Sequence, residues 1–193
     1  MVEADLSKFK NEDYQPGSVF KRSLWYLTSA IFLISFLPWP YSMKAVILRL
    51  FGARIGKKTV IKPNVKIKYP WFLSVGDNVW IGEGVWIDNL ALVTLESNVC
   101  VSQGSMLLTG NHDYKKIAFD LRVGEIHLEH GVWIGAKSVV CPGVRCGSHA
   151  VLTVGSIATH NLDPYYLYTG NPAEKRKKRE KRVKNKKQEN EKN

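Results

Sequence analysis

One histidine carries the clearest chemical signal in this chain of 193 residues. His112 lies in the stretch Gly110-Asn111-His112-Asp113-Tyr114, a run of small and polar residues that is typical of a loop. An imidazole titrates near neutral pH, so it is suited to accept or donate a proton in catalysis. A loop histidine alone is more often only solvated. The chain has no Ser/His/Asp elbow, P-loop or dinucleotide-binding glycine fingerprint, which leaves His112 as the leading candidate for a catalytic residue.

The three cysteines form neither a metal motif nor a redox motif. Cys100, Cys141 and Cys146 are an odd number, and no C-x-x-C spacing occurs. Cys146 falls at an inward position of the repeat described next, where we expect it to fill core volume. This usage indicates a reduced, cytoplasmic protein, and we expect no metal site.

A repeat of six residues must position the histidine. Aliphatic or similar side chains recur at this spacing, with two slips of two residues and one irregular stretch, at Ile55, Ile61, Ile67, Val75, Ile81, Ile87, Val93, Leu95, Val101, Leu107, Leu128, Ile134, Val140, Cys146, Leu152 and Ala158. A period of six fits neither an α-helix nor an alternating strand. It predicts a solenoid in which each hexad forms one short strand and a turn around a shared core.

Two other positions of the hexad support a mainly β, triangular solenoid over residues 55–163. The residue after the aliphatic one is often glycine, which we expect to allow a tight corner. The fourth residue after it is small or β-branched, at Thr59, Val65, Val79, Val85, Ala91, Val99, Ser105, Val132, Ser138, Val144, Ala150 and Ser156. The hexads fail between Leu107 and Leu128, so a loop at about residues 109–126 is predicted to leave the coil and to carry the chemistry.

Residues 1–54 are predicted to form an N-terminal extension with two helical segments. Leu24 to Leu37 is uncharged, but a helix of that length spans about 21 Å, short of the roughly 30 Å hydrocarbon layer. A second segment places Met43, Val46, Ile47, Leu50 and Phe51 on one apolar face, with Lys44 and Arg49 away from it. Two interpretations stay open, packing on the end of the solenoid and docking on an anionic membrane surface.

The positive charge is concentrated in the C-terminal segment, residues 164–193. The chain has a formal net charge of +11, and residues 174–193 contain eleven Lys or Arg and four Glu. We expect this basic tail to be a solvated helix or a disordered arm. It has no aromatic side chains that could stack on bases, which argues against nucleic-acid binding.

Several phrases of the sequence resemble a known family. The hexads resemble those of the hexapeptide-repeat acyltransferases, whose fold is a left-handed parallel β-helix. LTGNHDY resembles the catalytic loop of the maltose, galactoside and nodulation O-acetyltransferases. RLFGARIGKKTVIKPNVKIKYPW, VGDNVWIGEGVWIDNLALV and the Gly-Asn-Pro-Ala stretch at 170–173 are most similar to the colanic-acid biosynthesis acetyltransferases. The likeness covers about residues 20–175.

The resemblance implies acetyl transfer from acetyl-coenzyme A to a sugar hydroxyl in exopolysaccharide synthesis, without a covalent enzyme intermediate. His112 would be the general base, and a carbonyl or carboxylate, such as that of Asp113, would orient it. The acceptor would be held by Asp88, Asn89, Asn111 and Tyr114. The asparagine and aspartate at 88–89 are equally well explained by turn formation.

The resemblance also implies a homotrimer with the site between protomers. The pantetheine arm of the coenzyme would contact Trp133, Gly135, Ala136, Val154 and Gly155. Family members carry a Lys and an Arg near its phosphates, where this chain has His160 and Glu174. His160, Lys175, Arg176 and Lys177 are therefore the candidates here.

Three alternatives remain at this stage. One is an N-acetyltransferase acting on an amino-sugar nucleotide, since a histidine base also serves amines. Another is a zinc β-helix enzyme similar to carbonic anhydrase, although the histidines do not reproduce that family's spacing. The third is a non-catalytic scaffold. A lipid-linked acceptor at the inner face of the cytoplasmic membrane would give the hydrophobic N-terminus and the basic tail a common purpose.

Overall fold

The computed structural model describes residues 3, 5–11 and 14–180. Two α-helices, α1 (Val19–Ser29) and α2 (Tyr41–Leu50), precede the strands, with 3-10 helices at Leu6–Lys8 and Pro70–Phe72 and a π-helical turn at Ala30–Ile34. The strands in chain order are β1 (Arg54–Ile55), β2 (Val60–Ile61), β3 (Lys66–Ile67), β4 (Leu73–Val75), β5 (Trp80–Ile81), β6 (Trp86–Asp88), β7 (Val93–Leu95), β8 (Cys100–Val101), β9 (Met106–Leu108), β10 (Gly110–His112), β11 (Leu121–Val123), β12 (Ile126–Leu128), β13 (Trp133–Ile134), β14 (Val139–Val140), β15 (Arg145–Cys146), β16 (Val151–Leu152), β17 (Ile157–Ala158), β18 (Tyr166–Gly170) and β19 (Ala173–Lys178).

Three parallel sheets form the three walls of a solenoid. The first contains β1-β4-β7-β12-β15, the second β2-β5-β8-β13-β16-β18, and the third β3-β6-β9-β14-β17. Each coil contributes one strand to each wall, so there are five full coils, and β18 continues the second wall into a partial sixth. This confirms the predicted mainly β, parallel solenoid.

The core of the solenoid consists of the predicted inward positions. All sixteen are buried, from Ile55 at 8% exposed to Ala158 at 0%. Of the twelve small or β-branched positions, only Ala91 is half-buried rather than buried. The apolar period therefore predicted the burial pattern directly, because each inward position repeats the environment of its equivalent in the neighbouring coil.

The glycines that follow the inward positions serve coil stacking rather than the corners. A Cβ atom at Gly76 would lie 2.6 Å from the backbone nitrogen of Ser97, and one at Gly135 would lie 2.6 Å from that of Val154. The left-handed backbone conformation occurs two residues later, for example at Asn78 with φ 56° and at Lys137 with φ 56°. The expected corner role of these glycines is thus replaced by close approach of the next coil.

The helices cover the first coil. Trp25 in α1 donates its indole N–H to the carbonyl oxygen of Ile67 at 2.9 Å, and Arg49 in α2 donates to that of Ile55 at 2.7 Å. These bonds satisfy strand carbonyl groups at the end of the solenoid, where no preceding coil donates a backbone N–H to them. Among the described residues, no helix has both the length and the apolar character needed to cross a bilayer.

The buried face of α2 differs from the predicted one. Lys44, Ala45 and Leu48 are buried, whereas Val46 is 49% and Leu50 is 80% exposed. The Lys44 ammonium group donates to the carbonyl oxygens of Ile61 and Lys62 at 3.2 and 3.1 Å, and burial lowers its pKa. The end of the solenoid presents carbonyl oxygens, so a buried cation fits there better than an apolar side chain.

The start of the predicted basic tail is a β-strand. β19 pairs antiparallel with β18 at the edge of the second wall, and its residues 174–178 are exposed. The expectation of a helix or disordered arm therefore does not hold for residues 174–178. Residues 181–193 lie outside the part of the chain that the structure describes.

Candidate functional site

The irregular stretch after Leu107 forms a hairpin at one corner of the solenoid. β10 and β11 pair antiparallel, with His112 opposite Leu121. The hairpin leaves the coil after β9 of the third wall and returns to β12 of the first. The coil register tolerates this insertion, since β12 pairs with β7 just as β7 pairs with β4.

The ring of His112 is held in one orientation. Its Nδ1 lies 2.9 Å from the carbonyl oxygen of Phe119, and the two rings stack with centroids 4.6 Å apart and an angle of 11°. A carbonyl oxygen can only accept a hydrogen bond, so Nδ1 carries the hydrogen. In the neutral ring the lone pair therefore lies on Nε2, which has no hydrogen-bond partner among the described residues.

Phe119 has an uncommon backbone conformation. Its φ is 52°, in the left-handed region that bulky side chains rarely adopt. The same residue provides both the carbonyl group and the aromatic ring that hold His112. A locally unfavourable backbone that fixes a reactive side chain is a common feature of functional sites.

The N-terminal segment packs against the hairpin. The Phe9 ring contacts that of His112 edge-on at 5.7 Å, and the Asp5 backbone N–H donates to the carbonyl oxygen of Ile117 at 2.9 Å. A polar cavity of 440 Å³ lies between this segment and the hairpin, lined by Lys10, Asn11, Tyr14, Asp113, Lys116, Asp120, Leu121, Arg122 and Val123. The segment thus packs on the His112 ring through Phe9 and lines a cavity at neighbouring residues of the hairpin.

Asp113 does not orient the imidazole. Its carboxylate, only 6% exposed, accepts a hydrogen bond from Arg122 at 2.6 Å and another from the Lys115 backbone N–H at 3.2 Å. The carbonyl oxygen of Phe119 has the position that the sequence suggested for this carboxylate. Consecutive residues of β10 and its extension point to opposite sides, which separates the two side chains.

Asn89 is buried and fully used within the fold. Its carboxamide accepts from the backbone N–H groups of Lys68 and Tyr69 and donates to the carbonyl oxygens of Tyr69 and Phe72. With no exposed surface, it holds the turn before β4 and cannot reach an acceptor. The turn interpretation of this residue is the one that the geometry supports.

The other candidate acceptor ligands remain accessible. Asp88 is half-buried, with Lys68 Nζ 3.0 Å from its carboxylate. Its backbone oxygen accepts from the N–H and the hydroxyl group of Thr109, directly before the hairpin. Asn111 accepts from the His112 N–H at 2.8 Å, and the Tyr114 side chain is exposed. Asp88 also lines a 720 Å³ cavity between α1 and the third wall.

The residues predicted to contact the pantetheine arm lie together in a groove. Trp133, Gly135, Ala136 and Val154 line one cavity of 440 Å³ with Ser102, Gln103, Val151, Leu152, Thr153 and Leu167. The Trp133 indole N–H donates to the Ser102 hydroxyl at 2.9 Å. Gly155 adjoins the groove and donates its N–H to the Ala136 carbonyl oxygen at 2.9 Å. We call this set the second-wall groove.

The candidate phosphate ligands are exposed near the far end of the second wall. Lys175 Nζ lies 2.8 Å from the Asp163 carboxylate and 3.8 Å from the Tyr166 ring centroid. Arg176 pairs with Glu174 at 3.4 Å, and Lys177 lies beside it on β19. The exposed His160 follows β17, and its Nδ1 contacts the Thr159 hydroxyl at 3.3 Å. β19 pairs with β18, which pairs with β16, so Lys175, Arg176 and Lys177 share a wall with the groove, whereas His160 follows a strand of the third wall.

The histidines do not assemble a metal site within the described part of the chain. No group of three or more His, Cys, Asp or Glu side chains there could hold a metal ion. His127 lies in β12 with its Nε2 2.7 Å from Glu96, whereas His130 follows that strand.

Sequence reasoning missed Phe119, Phe9 and Arg122. The sequence offers no periodic signal for any of them, because the first two act through contacts that the tertiary fold creates. Arg122 is the one basic residue of β11, and a basic residue near Asp113 in a hairpin was the only available hint.

Two solved structures with a similar fold are acetyltransferases. A hexapeptide-repeat acetyltransferase of Vibrio cholerae O1 biovar eltor, VCA0836, solved with acetyl-coenzyme A, matches with a TM-score of 0.77 at 21% identity, covering 91% of this chain and 97% of that one. A galactoside acetyltransferase solved with coenzyme A matches with a TM-score of 0.75 at 22% identity, covering 83% and 82%. The fold is that of the hexapeptide-repeat acetyltransferases.

A sequence relative narrows this class. The chain is 35% identical over 170 residues to the "Putative colanic acid biosynthesis acetyltransferase WcaF" of Escherichia coli (strain K12), covering 88% of this chain and 93% of that protein. Comparison with protein-family models found no match. The chain belongs to the colanic acid biosynthesis acetyltransferase family of hexapeptide-repeat enzymes.

Proposed function

We propose that this acetyltransferase transfers an acetyl group from acetyl-coenzyme A to a sugar hydroxyl group in the synthesis of an exopolysaccharide. The observation that carries the proposal is the fixed ring of His112, whose Nδ1 donates to the Phe119 carbonyl oxygen at 2.9 Å. This bond leaves Nε2 as the proton acceptor. A held imidazole with one available lone pair is the arrangement that general-base catalysis requires.

His112 would move one proton twice. Its Nε2 takes the proton of the acceptor hydroxyl as the oxygen attacks the thioester carbonyl carbon, and the imidazolium then returns the proton to the departing thiolate. The Phe119 carbonyl oxygen stabilises the imidazolium through Nδ1–H between these two events. Because the attack is direct, no acetyl group is attached to the protein.

The cysteines fit direct transfer. Burial raises the pKa of Cys146 to about 12, and it also raises the pKa values of Cys100 and Cys141. The thiolate is the nucleophilic form of cysteine, and raised pKa values keep all three thiols protonated at neutral pH. None of them is therefore prepared to accept an acetyl group.

The second-wall groove fits the coenzyme. A pantetheine arm is long, narrow and partly apolar, and the groove offers it apolar side chains such as those of Val151, Leu152 and Leu167. The exposed indole of Trp133 supplies apolar surface, and the cations of β19 lie at one edge of the same wall, where phosphates would be neutralised. Acetyl-coenzyme A would supply the activated acetyl group, while this chain's residues hold and orient it.

The proposal includes a homotrimer, and the positions of the two half-sites support an arrangement in which protomers share a site. The groove lies at the turns after β8, β13 and β16, between the second and third walls, whereas the hairpin leaves the corner between the third and first walls. Different corners of one prism do not face each other. The hairpin of one protomer would therefore meet the groove of a neighbour, which also covers the exposed Trp133.

The acceptor side favours a sugar attached to an apolar group. The 720 Å³ cavity between α1 and the third wall combines Trp25, Leu27 and Ile34 with Arg22 and Asp88. The backbone oxygen of Asp88, a residue that lines this cavity, accepts a hydrogen bond from the Thr109 hydroxyl at the base of the hairpin. A lipid-linked saccharide has an apolar part and a polar part, which match the apolar and the charged residues of this cavity. Acetyl transfer to such an acceptor would take place at the inner face of the cytoplasmic membrane.

The test is turnover of acetyl-coenzyme A against a panel of glycan precursors, with nucleotide sugars, lipid-linked saccharides and amino sugars as separate arms. We expect hydroxyl acetylation, and a loss of more than about a hundredfold in kcat for His112→Ala. His130→Ala is the matched control, because His130 follows β12 and contacts Asn98 rather than the hairpin. Equal activity of both variants, or acetylation of amines alone, would overturn the proposal.

A further inference from the structure

Helix α1 exposes a continuous apolar stripe. Phe20, Leu24, Leu27 and Ile31 follow the spacing of one helical face and are 78%, 46%, 62% and 53% exposed. The opposite side of the helix is the packed one, through Trp25 and Ser29. An apolar stripe that points away from the core needs an explanation, because single exposed apolar residues are common but aligned ones are not.

The two helices and the turn between them form a cap on the first coil. Other parts of this cap add to the exposed apolar surface. Phe36 and Leu37, in the turn between the helices, are 77% and 56% exposed. On α2 the apolar Val46 and Leu50 are exposed, because Lys44 is the residue turned toward the solenoid. We call Phe20, Leu24, Leu27, Ile31, Phe36, Leu37, Val46 and Leu50 the cap face. The cap therefore buries the side chain of Lys44 against the solenoid and exposes apolar side chains to solvent.

All charged residues in the part of the chain around the cap face are basic. Residues 14–76 contain ten Lys or Arg and no Asp or Glu, whereas residues 77–173 contain five Lys or Arg and nine Asp or Glu. This part of the chain comprises the cap and the first coil, so the positive charge gathers at the end of the solenoid that carries the apolar side chains. The charge asymmetry is independent of the basic tail at 174–193.

A basic rim around exposed apolar side chains is complementary to an anionic lipid surface. A second copy of the same face is a poorer partner, because two such ends would bring like charges together without a single acidic residue from 14 to 76. The helices of the described residues are too short to span a bilayer. Their geometry suits a position in the interface, with apolar side chains among the lipid chains and cations at the headgroups.

We propose that the cap face docks this enzyme on an anionic bilayer, with the solenoid axis directed away from the membrane. Docking brings the 720 Å³ cavity between α1 and the third wall next to the lipid surface. An acceptor anchored in that surface would then reach the hairpin without leaving the bilayer. This proposal extends the proposed function but can fail independently of it.

The experiment measures sedimentation of the full chain with phosphatidylcholine vesicles that contain or lack phosphatidylglycerol. We expect binding that requires the anionic lipid, and at least a tenfold loss of affinity in the double variant Phe20→Glu/Leu24→Glu, whose two positions lie on the cap face but do not line the acceptor cavity. Leu6→Glu is the matched control, since Leu6 is 67% exposed but lies outside the cap. A chain ending at residue 180 separates the contribution of the tail from that of the cap face.

Three outcomes would overturn the docking proposal. They are absence of vesicle binding, equal binding by the double variant, and a change of oligomeric state in the double variant, which would make the cap face an interface between copies. Turnover of acetyl-coenzyme A with a short, lipid-free saccharide serves as the folding control and should be unchanged. Vesicle binding without turnover in the parent chain would instead leave the docking intact and remove the proposed function.

Discussion

The coils and the hairpin are built on opposite principles. In the coils, a side chain's environment follows from its place in the hexad, and all sixteen inward positions are buried. In the hairpin, His112 is positioned by Phe119, seven residues later, and by Phe9, more than a hundred residues earlier. The repeated part of the molecule therefore accounts for the buried core, whereas the proposed catalytic residue lies in the unrepeated part.

This difference shows why a solenoid can accommodate an inserted functional loop with little loss of folding free energy. Each coil contacts only its neighbours, so the insertion of the hairpin between β9 and β12 leaves the strand pairing of the walls intact. The hairpin is then free to adopt unfavourable conformations, such as that of Phe119, because the coils supply the folding free energy. Substitutions in the two regions should therefore affect different measured quantities.

The largest expected effect is on the coil that supports the hairpin. Leu107→Ala removes a fully buried side chain of β9 and should lower the free energy of unfolding by about 3 kcal/mol. Ile117→Ala in the hairpin, where the side chain is 50% exposed, should change it by less than about 0.5 kcal/mol. Chemical denaturation followed by circular dichroism measures both. Similar losses at the two positions would show that the hairpin folds as part of the coils.

The second effect concerns outward positions of the second wall. Trp133→Ala should raise the KM for acetyl-coenzyme A by about tenfold, because the substrate loses apolar contact worth about 1–2 kcal/mol, and kcat should change little. Trp80→Ala is the matched control: Trp80 is 43% and Trp133 47% exposed in the same sheet, but only Trp133 lines the groove. Steady-state kinetics distinguishes the two. A raised KM in both variants would point to disruption of the wall or trimer instead.

The smallest effect tests the strained residue of the hairpin. Phe119→Gly keeps the carbonyl group that faces His112 and suits a φ of 52°, but it removes the stacked ring. We expect kcat to fall by about threefold to tenfold, since the imidazole loses a contact of about 0.5–1.5 kcal/mol, with unchanged stability.

Phe119→Ala separates the ring from the backbone conformation. It also lacks the ring but retains the cost of a Cβ atom at positive φ, about 1 kcal/mol. Its stability should therefore be lower than that of Phe119→Gly, with similar kcat. If Phe119→Gly were as active as the parent, the carbonyl group alone would hold the histidine.

The sequence predicted the coils well and the cap poorly. Ile134 and its equivalents could be assigned because each repeats the environment of a residue one coil away. The face of α2 was predicted from apolarity alone, which placed Lys44 outward. The structure buries Lys44 against the carbonyl oxygens of Ile61 and Lys62, a polar surface that no helical periodicity reveals.

The candidate site shows the same division. Trp133, Gly135, Ala136 and Val154 were expected together and line one groove, because their hexad positions bring them to the same turn of successive coils. For Asn89 the sequence left acceptor binding and turn formation open, and the structure supports turn formation, since the buried carboxamide makes four backbone hydrogen bonds.

The six-residue period by itself determined the wall to which each strand belongs, the residues that fill the core and the place where a reactive loop leaves the coil. Only the tertiary structure decided that the Phe119 carbonyl, rather than Asp113, holds His112, and that Phe9 packs on the same ring. The reason is the range of the interactions. Stacking between coils repeats at short, regular intervals and is written into the period, whereas the contacts around His112 join segments that share no period.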